Sequence, residues 1–386
     1  MAEELSGVNG EIIRWARERY NMSQEDAAQC IGVDFEKYIG WENGESYPTY
    51  AKLKKISEVF KKPTAVFFFP SPPKLPSITG DLRTLPDVVT QNFSKNILVQ
   101  FEKAKVYQMN LAELYLDSPR ASILSERSQF PTNLVDLCEY FRLRLDFPIV
   151  AQKARKNDKI VFEIYRDRFY ELGIYVFKDS FKDNSASGLC IYDEQYPVIV
   201  INNSMSFARQ NFTLFHELYH LISQTNGVEI IRDDFFSQLS SEQETIEKRC
   251  DVFANEFLIP SSDFEIELKK KELDEDRISE LSKLYSVSKE AIMYKLYKMR
   301  IITSSEYSDL KEVFYGDAIR NKKNGDQKPG GSYYNTHLSY LGSRYTGDVF
   351  HQYFSGKIDT IRASEMLSTK ADHLPKLETY FFRGMK

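Results

Sequence analysis

The segment His216-Glu217-Leu218-Tyr219-His220 has the residue types and the spacing to bind and use a metal ion. Residues four apart on a helix differ by about 40° in direction and by roughly 6 Å in rise. Both imidazoles therefore reach one zinc ion, each at about 2.0–2.1 Å. Glu217 lies one residue along, beside the open coordination position, where a carboxylate can take a proton from water. With only five His in the chain, a His-Glu-x-x-His arises by chance on the order of 0.005 times. The competing reading is a pair of packed histidines, since Phe212, Phe215, Leu218 and Leu221 make this a buried helix.

A catalytic zinc needs a third protein ligand and one open position. Glu247 is the best candidate. Cys250, Phe253, Ala254, Phe257 and Leu258 form the inward face of its helix, and Glu247 extends that face by one turn. Asp251, four residues on, can accept the free N–H of a zinc-bound imidazole and fix its tautomer. A helical Glu is ordinarily a solvated charge; the need for a third ligand beside the histidine pair singles this one out. Glu256 and Glu244 are the alternatives, while His337, His351 and His373 read as structural.

These side chains must be positioned by the elements around them. Apolar residues at helical spacing predict one helix over 207–223 and another over 241–258, the second stopped by Pro260. Residues 173–177 alternate, and 188–192 with 197–201 read as a hairpin around Asp193-Glu194. A strand at 198–201 on the sheet edge would let an extended peptide add beside the zinc helix; simple support of the sheet is the competing reading. A long amphipathic helix is expected over 90–116, another over 133–145, and helix-turn-helix spacing over 275–300. The N-terminal residues 9–60 read as short helices, with Ser23 capping 24–31, Gly32 ending it, and Asp34 and Thr49 capping two more. Pro63, Pro70, Pro72, Pro73 and Pro76 mark a domain boundary, and 321–331 reads as a mobile linker.

Arg209-Gln-Asn-Phe-Thr213-Leu-Phe-His-Glu-Leu-Tyr-His220, with Glu247-x-x-Cys-Asp-x-Phe-Ala254 and Leu258-Ile-Pro260, resembles the ImmA/IrrE family of metallopeptidases. The resemblance implies a zincin-like α+β fold, zinc on His216, His220 and Glu247, and Glu217 as general base. The departures are Tyr219 for the commoner Gly, Cys250 for Ala and Ile259 for Met; Tyr219 changes packing or crowds the pocket. Cys30, Cys138, Cys190 and Cys250 form no Cys-x-x-Cys pair and are read as reduced, buried packing thiols.

Ser23-Gln-Glu-Asp-Ala-Ala-Gln-Cys-Ile-Gly-Val33, with Ile39-Gly-Trp-Glu-Asn-Gly44 and Pro48, resembles the XRE/Cro-type helix-turn-helix over residues 9–69. Ala27, Ala28, Ile31, Val33, Ile39 and Trp41 fit its core. The resemblance implies that the helix beginning Asp34-Phe-Glu-Lys37 enters the major groove of double-stranded DNA. Phe35 can meet a thymine methyl and Glu36 can accept from cytosine; Gln24, Lys37, Lys52, Lys54 and Lys55 can hold the backbone. A helical domain kept for dimerisation or docking is the alternative. The segments 75–120 and 330–380 also resemble long XRE-plus-ImmA/IrrE regulators, including immunity regulators and antitoxins.

The expected architecture is mainly α with a small β-sheet. It comprises a five-helix helix-turn-helix domain (1–70), a Pro-rich linker and long helix (71–130), and a zincin-like core (131–262). A helix-turn-helix-like region (263–316) and a C-terminal helical region (332–386) follow. The formal charge of −5 excludes a global polycation that coats nucleic acid, so DNA contact must be local. An acidic N-terminus and no long apolar run predict a soluble cytoplasmic protein. Three functions follow: a zinc peptidase that cuts a repressor or partner protein, with a homodimer on DNA as the expected assembly; a non-catalytic regulator or antitoxin whose zinc domain binds a toxin or senses a signal; and a general peptidase whose N-terminal domain oligomerises.

Overall fold

The computed structural model describes residues 3–74, 93–230, 239–310 and 332–384. The expected linker at 321–331, the Pro76–Thr84 motif and the first residues of the expected helix over 90–116 lie outside them. Two compact units are present: Met1–Lys103 with Phe236–Ser240, and Ala104–Phe235 with Ser241–Lys386. Among the described residues no helix is long and apolar enough to cross a membrane.

The first unit holds α1 (Gly10–Glu18), α2 (Gln24–Ile31), α3 (Phe35–Asn43) and α4 (Tyr50–Phe60), with a 3-10 segment, Thr64–Phe68, as the fifth helical piece. Ser23 accepts a hydrogen bond from the Asp26 amide and starts α2, while Gly32 (φ +73°) and Gly44 (φ +75°) end α2 and α3 in left-handed conformation. Asp34 and Thr49 precede α3 and α4 but make no capping hydrogen bond. Ile12, Ile13, Ala16, Ala27, Ile31, Trp41, Leu53, Ile56 and Phe60 are buried. Val33 and Ile39 are only half-buried, and Tyr38, one position away, fills the core instead.

That core also encloses a charge. Glu42 is 2% exposed and accepts from Arg17 Nε at 2.8 Å, Gln24 Nε2 at 2.8 Å and Tyr38 Oη at 2.8 Å, joining α1, α2 and α3. Burial alone would raise its pKa, but these hydrogen bonds outweigh burial and hold it below the ordinary carboxylate value.

The second unit is built on a four-stranded sheet in the order β1-β3-β2-β4: β1 (Tyr175–Asp179), β2 (Ala186–Ile191), β3 (Val198–Asn202) and β4 (Gly227–Ile230). The expected hairpin is present as the antiparallel β2–β3 pair, with Leu189 opposite Val200. β3 is not an edge strand as expected, because β1 pairs parallel to its other side, Phe177 opposite Val200. The edge positions belong to β1 and β4. The alternation read at 173–177 gives way to burial on both faces of β1 to β3, since helices cover both sides of the sheet.

Four helices precede the sheet: α5 (Lys95–Leu114), α6 (Leu134–Arg144), α7 (Ile149–Arg155) and α8 (Asp158–Glu171). Two helices then carry the candidate chemistry. α9 (Phe207–Ile222) crosses β2, β3 and β4, and Ser206 caps it by accepting from the Arg209 amide. Its approach to the sheet is close: a Cβ on Gly188 would lie 2.4 Å from Thr213 Cγ2. α10 (Ser241–Leu258) packs along α9, with Phe215 and Phe257 stacked at 4.0 Å. Gln152 Nε2 donates to the Leu258 carbonyl at 3.1 Å, satisfying the end of α10. One hydrophobic core runs from Ile123 to Leu296, taking in α12 (Glu275–Tyr285) and α13 (Lys289–Lys298), which follow α11 (Ser261–Leu268). The C-terminal helices, Tyr333–Leu341, Ser343–Phe354, Thr360–Met366 and Leu374–Gly384, belong to the same unit. Buried Arg166 of α8 fixes the first of them by donating to the Ser339 and Tyr340 carbonyls at 2.6 and 2.7 Å.

Both tryptophans, Trp15 and Trp41, lie in the first unit, so their fluorescence reports its unfolding alone. Arg17→Met removes the closer of the two arginines paired with Glu42, leaving Arg14 at 3.7 Å, and destabilises this unit by roughly 1.5–3 kcal/mol in urea titrations. The Glu42 pKa is depressed by folding, so its contribution is present at neutral pH and is lost as pH falls through the carboxylate range. Glu42→Gln is expected to flatten that acid limb of the stability profile.

Candidate metal centre

α9 places His216, Glu217 and His220 on its buried side, and α10 brings Glu247 against them. His216 and His220 are each 2% exposed, Glu247 is 4% exposed and Glu217 is fully buried. Glu247 Oε2 lies 3.2 Å from His216 Nε2, and Glu247 Oε1 lies 3.4 Å from His220 Nε2. Neither Nε2 makes a hydrogen bond, despite this proximity. Two lone pairs and a carboxylate thus converge without bonding one another. Tetrahedral bonds of about 2.0–2.1 Å separate ligand atoms by roughly 3.3–3.4 Å, so the donor set fits a zinc-sized ion.

The other ring nitrogens are anchored. His216 Nδ1 meets Asp251 Oδ1 at 3.1 Å, the contact expected from the sequence. His220 Nδ1 meets Thr225 Oγ1 at 3.1 Å; that hydroxyl donates its own proton to the His220 carbonyl, leaving its oxygen to accept from Nδ1–H. Both anchors fix the tautomer that turns the Nε2 lone pair inward. A Cβ on Gly227 would meet His220 Cδ2 at 2.4 Å, so β4 approaches the ring as only glycine permits.

Sequence reasoning missed several neighbours. Glu229 of β4 is buried beside His216, 4.0 Å from Nδ1, and is held by Arg209 and Ser187. Its amide donates to Glu217 Oε1 at 3.1 Å, which leaves Glu217 Oε2 buried without a partner. Cys250 is buried, as the packing reading expects, and its Sγ and one ring nitrogen from each of His216 and His220 lie within 4.8 Å of one another. Cys138 and Cys190 are buried, but Cys30 is exposed, contrary to expectation. No motif marks Glu229 or Thr225; the signal that could have found Glu229 is an acidic residue inside the apolar Gly-Val-Glu-Ile run.

Burial raises the Glu217 pKa. Burial opposes a charged His216, but Glu229, Asp251 and Glu247 outweigh it and raise that pKa well above the ordinary value. Burial also opposes a charged Glu247, yet the two imidazoles hold it well below the usual carboxylate range. The pocket is built for positive charge.

Tyr219 turns away from this pocket into the core, 5.4 Å from Phe253, so the departure from glycine affects packing. The alternatives to Glu247 are engaged elsewhere: Glu256 with Lys295 and Ser261, Glu244 with Lys248. His337 bonds the Leu367 carbonyl within the C-terminal helices.

On the first unit, Phe35, Glu36 and Lys37 are exposed on the first turn of α3. Gln24 is half-buried, with its amide donated to Glu42. Lys52 donates to the Gly32 carbonyl at 2.7 Å, and Lys54 and Lys55 are exposed.

A helix bearing two imidazoles and a glutamate, laid across a mixed sheet and faced by a second acidic helix, defines a peptidase-like domain. Residues 170–297 match the peptidase family model described as the IrrE N-terminal-like domain, and residues 13–67 match the model described as helix-turn-helix. The chain therefore carries an N-terminal segment similar to helix-turn-helix domains and, further on, a peptidase-like segment similar to the IrrE N-terminal-like domain. A solved structure, a transcriptional regulator of Mycobacterium tuberculosis, is 19% identical with a TM-score of 0.30. That match covers 48% of this chain and 50% of the other, so this chain spans half of that protein's length. No curated protein matches the chain.

Gly227→Ala forces the His220 ring or β4 to shift. It is expected to destabilise the second unit by about 1–3 kcal/mol, read by urea titration of far-ultraviolet circular dichroism.

Proposed function

We propose that this chain is a DNA-associated, zinc-dependent regulatory peptidase that cleaves a repressor or partner protein. The observation that carries the reading is the convergence of two unpartnered, buried imidazole nitrogens on the carboxylate of Glu247. His216, His220 and Glu247 would hold the zinc, which when bound would supply a Lewis acid for the scissile carbonyl and acidify water. Asp251 and Thr225 keep the two imidazoles in the ligating tautomer. Glu217 Oε2, free of other partners, takes a proton from the attacking water and delivers it to the leaving amine. The Glu229 amide holds the other oxygen of Glu217 and so sets its orientation. The helix-turn-helix brings this activity to double-stranded DNA, with Phe35 and Glu36 of α3 toward the bases and Lys37 toward the backbone, whereas the Gln24 amide is taken up by Glu42. The protein acts as a homodimer on a two-fold site.

Elemental analysis of purified full-length protein is expected to find about one zinc per chain. A well-folded protein that binds no divalent metal would overturn the reading. Glu217→Gln is expected to keep metal and fold while losing cleavage of the proteins encoded beside it. If that variant keeps full regulatory activity, the zinc domain serves as a non-catalytic docking or sensing module, as in an antitoxin.

Thr225→Val removes the acceptor for His220 Nδ1 with little change of shape. It is expected to weaken zinc binding about 10–100-fold in chelator competition. Lys37→Ala is expected to weaken DNA binding evenly across sequences and to reduce the slope of log affinity against log salt by about 1.

A further inference from the structure

We propose that Cys250 is a fourth ligand of the metal, so that the centre rests closed and opens only when this thiolate is displaced. The inference rests on the metal reading above and concerns how that same site is regulated. Cys250 lies one helical turn beyond Glu247 on α10, fully buried, and its Sγ belongs to the donor cluster formed with His216 and His220. A second observation is independent of the cysteine: the buried Nε2 atoms of both histidines have no hydrogen-bond partner. An ion held by these nitrogens would have sulfur in its surroundings.

Zinc–sulfur bonds of about 2.3 Å and zinc–nitrogen bonds of about 2.0–2.1 Å place the ligand atoms roughly 3.5 Å apart. The 4.8 Å limit on the cluster brings the thiol within a small side-chain adjustment of that spacing. Binding converts the thiol to thiolate, with its proton released to solvent. Two imidazoles, one carboxylate and one thiolate complete a tetrahedron, the closed arrangement of structural zinc sites. Glu217 then faces a filled coordination shell, and no water can enter between them. Displacing sulfur restores the three-ligand arrangement that a peptidase requires.

Cobalt(II) in place of zinc makes the ligand visible, because thiolate coordination gives a sulfur-to-cobalt charge-transfer band in the near ultraviolet. The full-length wild type loaded with one cobalt per chain is expected to show this band. Cys250→Ala and Cys250→Ser are expected to lose it while still binding one cobalt, whereas Cys190→Ala keeps it. Acetohydroxamate, a small bidentate probe of open metal positions, is expected to shift the visible cobalt bands of Cys250→Ala at concentrations that leave the wild type unchanged. One bound cobalt with no charge-transfer band in the wild type would overturn the proposal and leave the three-ligand reading standing. A band lost with Cys190 rather than Cys250 would also overturn it. A wild type that takes up no cobalt would remove both this proposal and the metal reading on which it rests.

Discussion

Four carboxyl groups and two imidazoles gather around one point in the second unit, walled in by apolar side chains. Glu217, Glu229 and Glu247 are buried, Asp251 is partly so, and Arg209 is the cation that pairs with this group, through Glu229. Removing an ionised carboxylate from water is costly unless a compensating charge or hydrogen bond accompanies it. The acidic neighbours Glu229, Asp251 and Glu247 outweigh burial and raise the His216 pKa, the direction this requirement favours. The divalent cation proposed above would meet it too, and would give both Nε2 atoms a partner. The close contact of α9 with α10 and the glycine approaches of β2 and β4 serve this arrangement, since each brings a donor or its anchor to the same place.

Periodicity made the two central helices legible. The expected limits 207–223 and 241–258 fall within a residue of those in the structure because each helix has strong boundaries: Ser206 before one, Pro260 after the other. Glu247 was legible for a related reason, as a charged residue continuing an otherwise apolar face. The hairpin was legible through its turn, but its place in the sheet was not. Nothing in 198–201 encodes that β1 will pair with it in parallel, a contact that joins segments more than twenty residues apart and depends on the intervening fold.

The surroundings of the candidate metal centre were illegible for another reason. Thr225 and Glu229 follow α9 in a short turn and a four-residue strand, where neither helical nor alternating periodicity has room to develop. Their contribution comes from position in space rather than from pattern: one hydroxyl aimed at His220 and one backbone amide aimed at Glu217. Cys250 was hidden differently. Its place on an apolar face fits packing and ligation equally well, and only its distance from the two imidazoles separates those roles.

The helix-turn-helix unit combines legible helix limits with a use of charge that the sequence conceals. Arg17, Arg19 and Lys62 look available for phosphate, yet each is committed inside the unit, Arg17 to Glu42 and the other two to Glu102. Gln24, a natural backbone contact at the start of α2, donates to the same buried Glu42. The positive charge left on the outside is a handful of lysines, offset at the start of α3 by Asp34 and Glu36. Phosphate neutralisation sets most of the affinity of a small DNA-binding unit, so one copy with so little free positive charge binds weakly. Doubling the contacts through a two-fold assembly multiplies the affinities of the two half-sites.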